Sequence, residues 1–163
     1  MNSAIPDDIV EHLDHPTPFF LISKKKLTET YADFEQLFPG ARIHYAIKAN
    51  SETEVLTTLN DLGSGFEVAS GFELEYLKGI GVAPEKIVYG TSIKPLDHIR
   101  NAFQYGVDTF SIDSPGELEK IAAIAPGAKI YVRMCVDDSG SVFRFSEKFG
   151  TEKSNVVPML QRA

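Results

Sequence analysis

A single cysteine, Cys135, stands in 163 residues, so neither an internal disulfide framework nor a cysteine-based metal site can be built. The four histidines, His12, His15, His44 and His98, lack metal-ligand spacing, and no metal is expected. Positive charge is also scarce. Sixteen Lys and Arg stand against 23 Asp and Glu, for a net charge of -7, and no basic stripe offers a nucleic-acid footprint. The one basic run, Lys24-Lys25-Lys26, is short and reads as a solvated face. No apolar stretch is long enough to span a bilayer, and Met1 to Leu13 shows no signal-peptide pattern, so a cytoplasmic protein without a membrane partner is expected. What remains, 43% hydrophobic and 24% charged, is an ordinary globular composition of a length that suits one domain.

Residues 1–16 are acidic and irregular and read as a lead-in. Pro18-Phe19-Phe20-Leu21-Ile22 reads as a short strand, and Ser23 as the N-cap of a helix carrying Leu27, Tyr31, Phe34, Leu37 and Phe38 at helical spacing. The three lysines fall in the first turn of that helix, where its dipole disfavours cations. Pro39-Gly40 stops it. From there the chain repeats. Strand-like runs begin near Ile43, Phe66, Ile87, Thr109 and Ile130, about 22 residues apart. Between them, Ser51 with Glu54, Ser70 with Glu73, and Ser114-Pro115-Gly116-Glu117 carry helix-start signatures, and Pro95 sits at a first-turn position. Gly106 and Pro126-Gly127 read as stops.

Strand–helix alternation at this period demands parallel strands joined by right-handed crossovers. An open dinucleotide-binding sheet would carry a glycine fingerprint after its first strand. That turn reads Lys48-Ala49-Asn50-Ser51 and has no glycine, which favours a (β/α)8 TIM-type barrel. A barrel needs eight strands. The repeat supplies five, and Pro18 to Ile22 would make a sixth. Because the count falls short and the final helix from Thr151 breaks off within itself, the expectation is a partial barrel, the N-terminal part of a longer chain.

Tyr45-Ala46-Ile47-Lys48-Ala49-Asn50 places a lysine at the end of an apolar strand, where such folds keep their chemistry. Lysine forms Schiff bases, and partial burial favours the neutral, nucleophilic amine; a surface lysine is the plain alternative. Strand alternation puts His44, Ala46 and Lys48 on one face, and Glu67 with Ala69 on one face of the next strand. Glu67 can serve the lysine or form an ordinary ion pair, and the small alanines leave room for a flat ligand. Lys78, Lys94 and Lys120 fall in or beside crossover helices, away from the barrel axis. Asp137-Asp138 lies in a loop that reads as a solvated turn or a site for a hard cation, without the oxygen ladder of an EF-hand. Arg144, between two phenylalanines, suits a hydrogen bond to an anionic oxygen.

These motifs resemble, in order, the fold-type III pyridoxal-phosphate decarboxylases, the ornithine, diaminopimelate and arginine decarboxylase family. The lysine motif at 45–50 is followed by Gly65-Phe66-Glu67-Val68-Ala69-Ser70, Ile87-Val88-Tyr89-Gly90 and Thr109-Phe110-Ser111-Ile112-Asp113-Ser114. Val136-Asp137-Asp138-Ser139 and Phe143-Arg144-Phe145-Ser146-Glu147-Lys148-Phe149-Gly150 are similar to the ornithine branch in particular. The resemblance implies that Lys48 carries pyridoxal 5'-phosphate as a Schiff base, that Glu67 is the acidic residue beside it, where the ornithine branch usually has Asp, and that Arg144 lies near the cofactor. It also implies decarboxylation of a basic amino acid, most simply L-ornithine to putrescine in polyamine biosynthesis, by a homodimer. Residues 17–163 would then be the N-terminal part of the cofactor-binding barrel. The family's phosphate loop, partner-subunit residues and β-rich domain would lie later, and the stretch alone would be inactive. Two further readings go with the resemblance: a non-catalytic homologue that binds a regulator protein, and a diaminopimelate, arginine or lysine decarboxylase. A racemase or cofactor-carrier barrel fits the long segment from Asp137 to Gly150 less well.

Overall fold

A computed structural model describes residues 16, 18–144, 146 and 148–163. The lead-in expected over residues 1–16 lies, Pro16 apart, outside the described residues. Five parallel strands, β1 (His44–Ala46), β2 (Gly65–Val68), β3 (Ile87–Tyr89), β4 (Thr109–Ile112) and β5 (Lys129–Val132), each pair with the next, in the order 1-2-3-4-5. Helices α2 (Thr53–Asp61), α3 (Gly71–Gly79), α4 (Leu96–Tyr105) and α5 (Pro115–Ile124) form the crossovers, with α1 (Lys24–Leu37) before and α6 (Lys153–Arg162) after them. A doubly wound sheet reverses its strand order part-way. This one never does, so it is an arc of a β/α barrel.

Burial shows which side of the arc is covered. Phe66, Val68, Ile87, Tyr89, Phe110 and Ile112 are 0–1% exposed, and they pack with Leu56, Leu74, Leu77, Ile99 and Ile121 from the helices. Each such large side chain contributes about 1.5–3 kcal/mol on burial. The alternate positions Ala46, Glu67, Val88 and Thr109 are only half-buried, and Tyr131 is exposed. Those residues line the hollow side.

The expected punctuation is largely present. Ser23 Oγ accepts from the Lys26 amide at 3.1 Å, Ser70 Oγ from Glu73 at 3.2 Å and Ser114 Oγ from Glu117 at 3.4 Å. Gly106 ends α4 at φ +109°, a left-handed cap that glycine adopts without penalty. The lysines of the first turn of α1 find a partner in Glu29, 3.9 Å from Lys25 and 4.0 Å from Lys26. Pairs this exposed contribute a few tenths of a kcal/mol.

Two expectations fail. Pro18 to Ile22 is not a strand: it joins no ladder among the described residues, and Phe20 is 99% exposed. An apolar run becomes a strand only where a neighbour pairs its backbone. Ser51 does not cap α2. After β1 the chain makes a single 3-10 turn, Ile47–Ala49, and Asn50 Oδ1 takes the Glu52 amide at 2.9 Å, so α2 starts at Thr53.

Candidate functional site

Because the strands are parallel, their carboxyl ends share one rim, where Lys48, Ala69, Gly90, Asp113 and Arg133 follow β1 to β5 in turn. Lys48 lies in the 3-10 turn, two residues beyond Ala46, which is the register partner of Glu67. The turn is fixed on both sides of the lysine. Ile47 is fully buried, and the Tyr45 hydroxyl donates to the Asn50 carbonyl at 3.2 Å. Lys48 itself is exposed and not half-buried as a barrel mouth would suggest. The turn carries the residue clear of the sheet.

Glu67 sits half-buried on the hollow face of β2. A Cβ on Gly90 would stand 2.3 Å from its Cγ and Cδ, so its side chain lies across the end of β3. On β5 Tyr131 stands on the same hollow face; 39% exposed as a whole residue, it still has its phenol pushed up, first by partial burial and then by the negative charge of Glu67. Arg144 is exposed on the connection from β5 to α6. Lys48 and Glu67 thus follow or occupy adjacent strands, while Arg144 belongs to a connection that leaves the opposite edge of the sheet. That connection is tied to the rim where Asp113 Oδ2 accepts from the Gly150 amide at 3.0 Å. The paired aspartates shape it: Asp137 Oδ1 accepts from the Ser139 amide, and Asp138 from the Ser146 amide and hydroxyl. A groove of about 810 Å³ nearby is lined by Phe20, Ile22, Ala49, Asn50 and Val55 but by none of the three expected site residues.

Lys94 departs most from the sequence reading. It lies beside the crossover helix α4 as expected, but its side chain is fully buried, which the sequence did not signal. Nζ donates to the carbonyls of Thr91 at 2.9 Å, Ser92 at 3.2 Å and Ser111 at 2.6 Å, and lies 3.3 Å from a Glu117 oxygen. Glu117, expected to cap α5 with its carboxylate, instead pairs with both Lys94 and Lys120. Burial pulls the Lys94 ammonium below its ordinary pKa, and the Glu117 charge opposes that shift. One buried cation therefore joins the connection after β3 to β4 and to the start of α5. Nearby, His98 Nδ1 accepts from the Gly71 amide at 3.1 Å and lies 3.2 Å from the Tyr89 hydroxyl, joining the start of α3 to β3.

The family model described as "Pyridoxal-dependent decarboxylase, pyridoxal binding domain" matches residues 24–163. The chain belongs to the pyridoxal-dependent decarboxylases. It is 35% identical over 148 residues to the lysine/ornithine decarboxylase of Selenomonas ruminantium, covering 91% of this chain and 38% of that one. It is 34% identical over 145 residues to antizyme inhibitor 2 of Xenopus laevis, covering 89% and 32%, and 32% identical over 154 residues to the ornithine decarboxylase of Rattus norvegicus, covering 94% and 33%. The chain spans about a third of the length of these curated relatives. Among solved structures, the Paramecium bursaria Chlorella virus arginine decarboxylase bound to agmatine superposes with a TM-score of 0.88 at 29% identity, covering 95% of this chain and 42% of that one.

The donor set on the rim fits the aldehyde end of the family's cofactor. A primary amine stands exposed on a pinned turn two residues beyond small Ala46, whose register partner on the neighbouring strand is Glu67.

Proposed function

We propose that this chain provides the attachment site for pyridoxal 5'-phosphate in a decarboxylase of basic amino acids, with L-ornithine as substrate and putrescine as product. The single observation that carries this reading is the exposed Lys48 amine on the fixed turn after β1, one strand from Glu67, within a match to a pyridoxal-binding domain. Relatives named for ornithine, lysine/ornithine and arginine decarboxylation support the substrate class. When bound, the cofactor supplies an electron sink for the electron pair left behind as carbon dioxide departs.

The remaining work falls to residues of this chain. Lys48 would hold the cofactor covalently through its amine. Glu67, one strand away, lays its carboxylate across the end of β3 and offers it to the bound cofactor from that side. Arg144, on a connection tied to the rim through Asp113, presents a planar fork to an anionic oxygen. Residues 17–163 would be the part of the barrel that holds the cofactor, within a longer, cytoplasmic homodimer. The test is release of carbon dioxide from L-ornithine, L-lysine and L-arginine by the full-length protein supplied with pyridoxal phosphate. Turnover fastest with L-ornithine is expected, and turnover of none of the three would reject an enzymatic role.

The likeness to antizyme inhibitor 2 supports a second reading, a homologue that binds a regulator protein. A lysine held at the rim as Lys48 is favours the enzyme.

A further inference from the structure

We propose that Gly90 is a positioning residue for the site: its missing side chain lets Glu67 lie across the end of β3 and carry its carboxylate to the rim. This rests on the cofactor reading above. In the ladder Glu67 is paired with Val88 and Val68 with Tyr89, so Gly90 lies two residues beyond the direct partner of Glu67, on the same face and closer to the carboxyl end. Glu67 leans towards the rim to reach it.

The backbone of Gly90 does not itself ask for glycine, because Gly90 is not among the glycines at positive φ. Its amide donates to the Val68 carbonyl at 2.8 Å, which holds it in the β2–β3 ladder and keeps it from backing away. A Cβ there would stand 2.3 Å from Glu67 Cγ and Cδ and 2.5 Å from Oε1, and all three nearest atoms belong to Glu67. Gly65 is different. A Cβ on it would meet the His44 ring at 2.6 and 2.8 Å and also the Lys86 backbone carbonyl at 2.9 Å. No side-chain change can clear that carbonyl. Gly65 is required by the sheet, whereas Gly90 is required by one movable side chain. The extra methylene of Glu67 compared with aspartate is accommodated by this absence.

A double-mutant cycle in the full-length protein tests the proposal, using Gly90→Ala, Glu67→Ala and their combination. If Gly90 acts through Glu67, Gly90→Ala alone turns Glu67 off the end of β3. Turnover then falls by about a hundredfold, as expected for a misplaced site group, and the absorption of added pyridoxal phosphate changes as it does in Glu67→Ala. The combined variant is then no worse than Glu67→Ala alone. In the cofactor-free protein Gly90→Ala lowers the melting temperature by a few degrees, and this loss disappears in the Glu67→Ala background. The comparison variant Gly65→Ala stays destabilised whether or not His44 is replaced by alanine. Wild-type turnover and spectrum in Gly90→Ala, or losses that multiply in the combined variant, would overturn the proposal. If pyridoxal phosphate does not attach to Lys48 at all, the cofactor reading fails separately. The melting-temperature cycle still decides whether Gly90 and Glu67 are coupled, and additive melting losses there would refute the pairing.

Discussion

Removing the Glu117 carboxylate is expected to be among the most damaging polar substitutions in this chain. Glu117 is 5% exposed and Lys94 is 1% exposed, so Glu117→Ala leaves a buried ammonium with three backbone carbonyls and no ion-pair partner, the charge of Asp113 acting on it only at longer range. Breaking a buried pair from one side costs about 3–5 kcal/mol, because the remaining charge stays desolvated. The shift is about 2–4 °C per kcal/mol for 150–250 residues and less for a longer chain, so the melting temperature of the full-length protein should fall by several degrees and by no more than about 20 °C. Lys120→Ala takes away a partner whose side chain is 30% exposed and should cost about 1 kcal/mol or less. The pH dependence follows from Lys94. Its folded pKa lies below the ordinary 10.5, so between the two values the unfolded chain binds the proton more readily and stability rises with pH. Glu117 opposes that depression, so without it the penalty at neutral pH grows, and the deficit of Glu117→Ala should shrink as pH approaches 10.5. Thermal unfolding of the full-length protein at pH 7 and pH 10 measures both effects. Adding Lys94→Met should recover part of the loss by removing the stranded charge. A Glu117→Ala cost no greater than that of Lys120→Ala, or a deficit that grows with pH, would show that Glu117 does not offset the buried Lys94 charge.

Two further outcomes are expected. Asp108, hydrogen-bonded to Lys129 and to Thr109, titrates below the ordinary 3.8; it therefore stabilises the fold above that value and ceases to as pH falls through its own pKa. Since its side chain is 45% exposed, Asp108→Asn should cost less than about 1 kcal/mol at pH 7 and nothing measurable well below pH 3.8, checked by comparing melting temperatures at the two pH values. If Arg144 serves the proposed decarboxylase, Arg144→Lys loses most turnover of the full-length protein while keeping the charge, because an ammonium cannot reproduce the planar fork; normal kcat and KM would show that Arg144 has no such role.

The repeat was legible because each strand–helix unit carries its own punctuation: a capping serine, a run of core residues, a stop. Ser70 and Ser114 cap where expected, and the strands begin within a residue or so of their expected starts. The site was legible only as far as single strands allow. Glu67 stands on the hollow face of β2 as alternation predicts, and the parallel register sets Ala46 beside it, whereas Lys48 lies beyond β1 in a 3-10 turn that alternation does not describe. What escaped are contacts between neighbouring repeats. Gly90 lies about one repeat after Glu67, and Glu117 about one repeat after Lys94. Residues one period apart stand side by side in such an arc, so the spacing itself was the signal. Lys94, in the polar stretch Thr91 to Pro95, otherwise looks like a surface residue, and Glu117 like an ordinary capping glutamate. Pro18 to Ile22 misled in the opposite sense. Its composition suits a strand, but composition does not supply a partner, and none stands beside it among the described residues.

The proposed function requires that Lys48 hold the cofactor. Borohydride reduction of the full-length, pyridoxal-phosphate-loaded protein, followed by digestion and peptide mapping, tests it most directly, because reduction fixes the pyridoxyl group on the lysine that bears it. The pyridoxyl label is expected on the peptide containing Tyr45-Ala46-Ile47-Lys48-Ala49-Asn50, and Lys48→Ala should abolish it. A label on Lys94, Lys120 or any other lysine, with Lys48 unmodified, would contradict the site and the proposed function together.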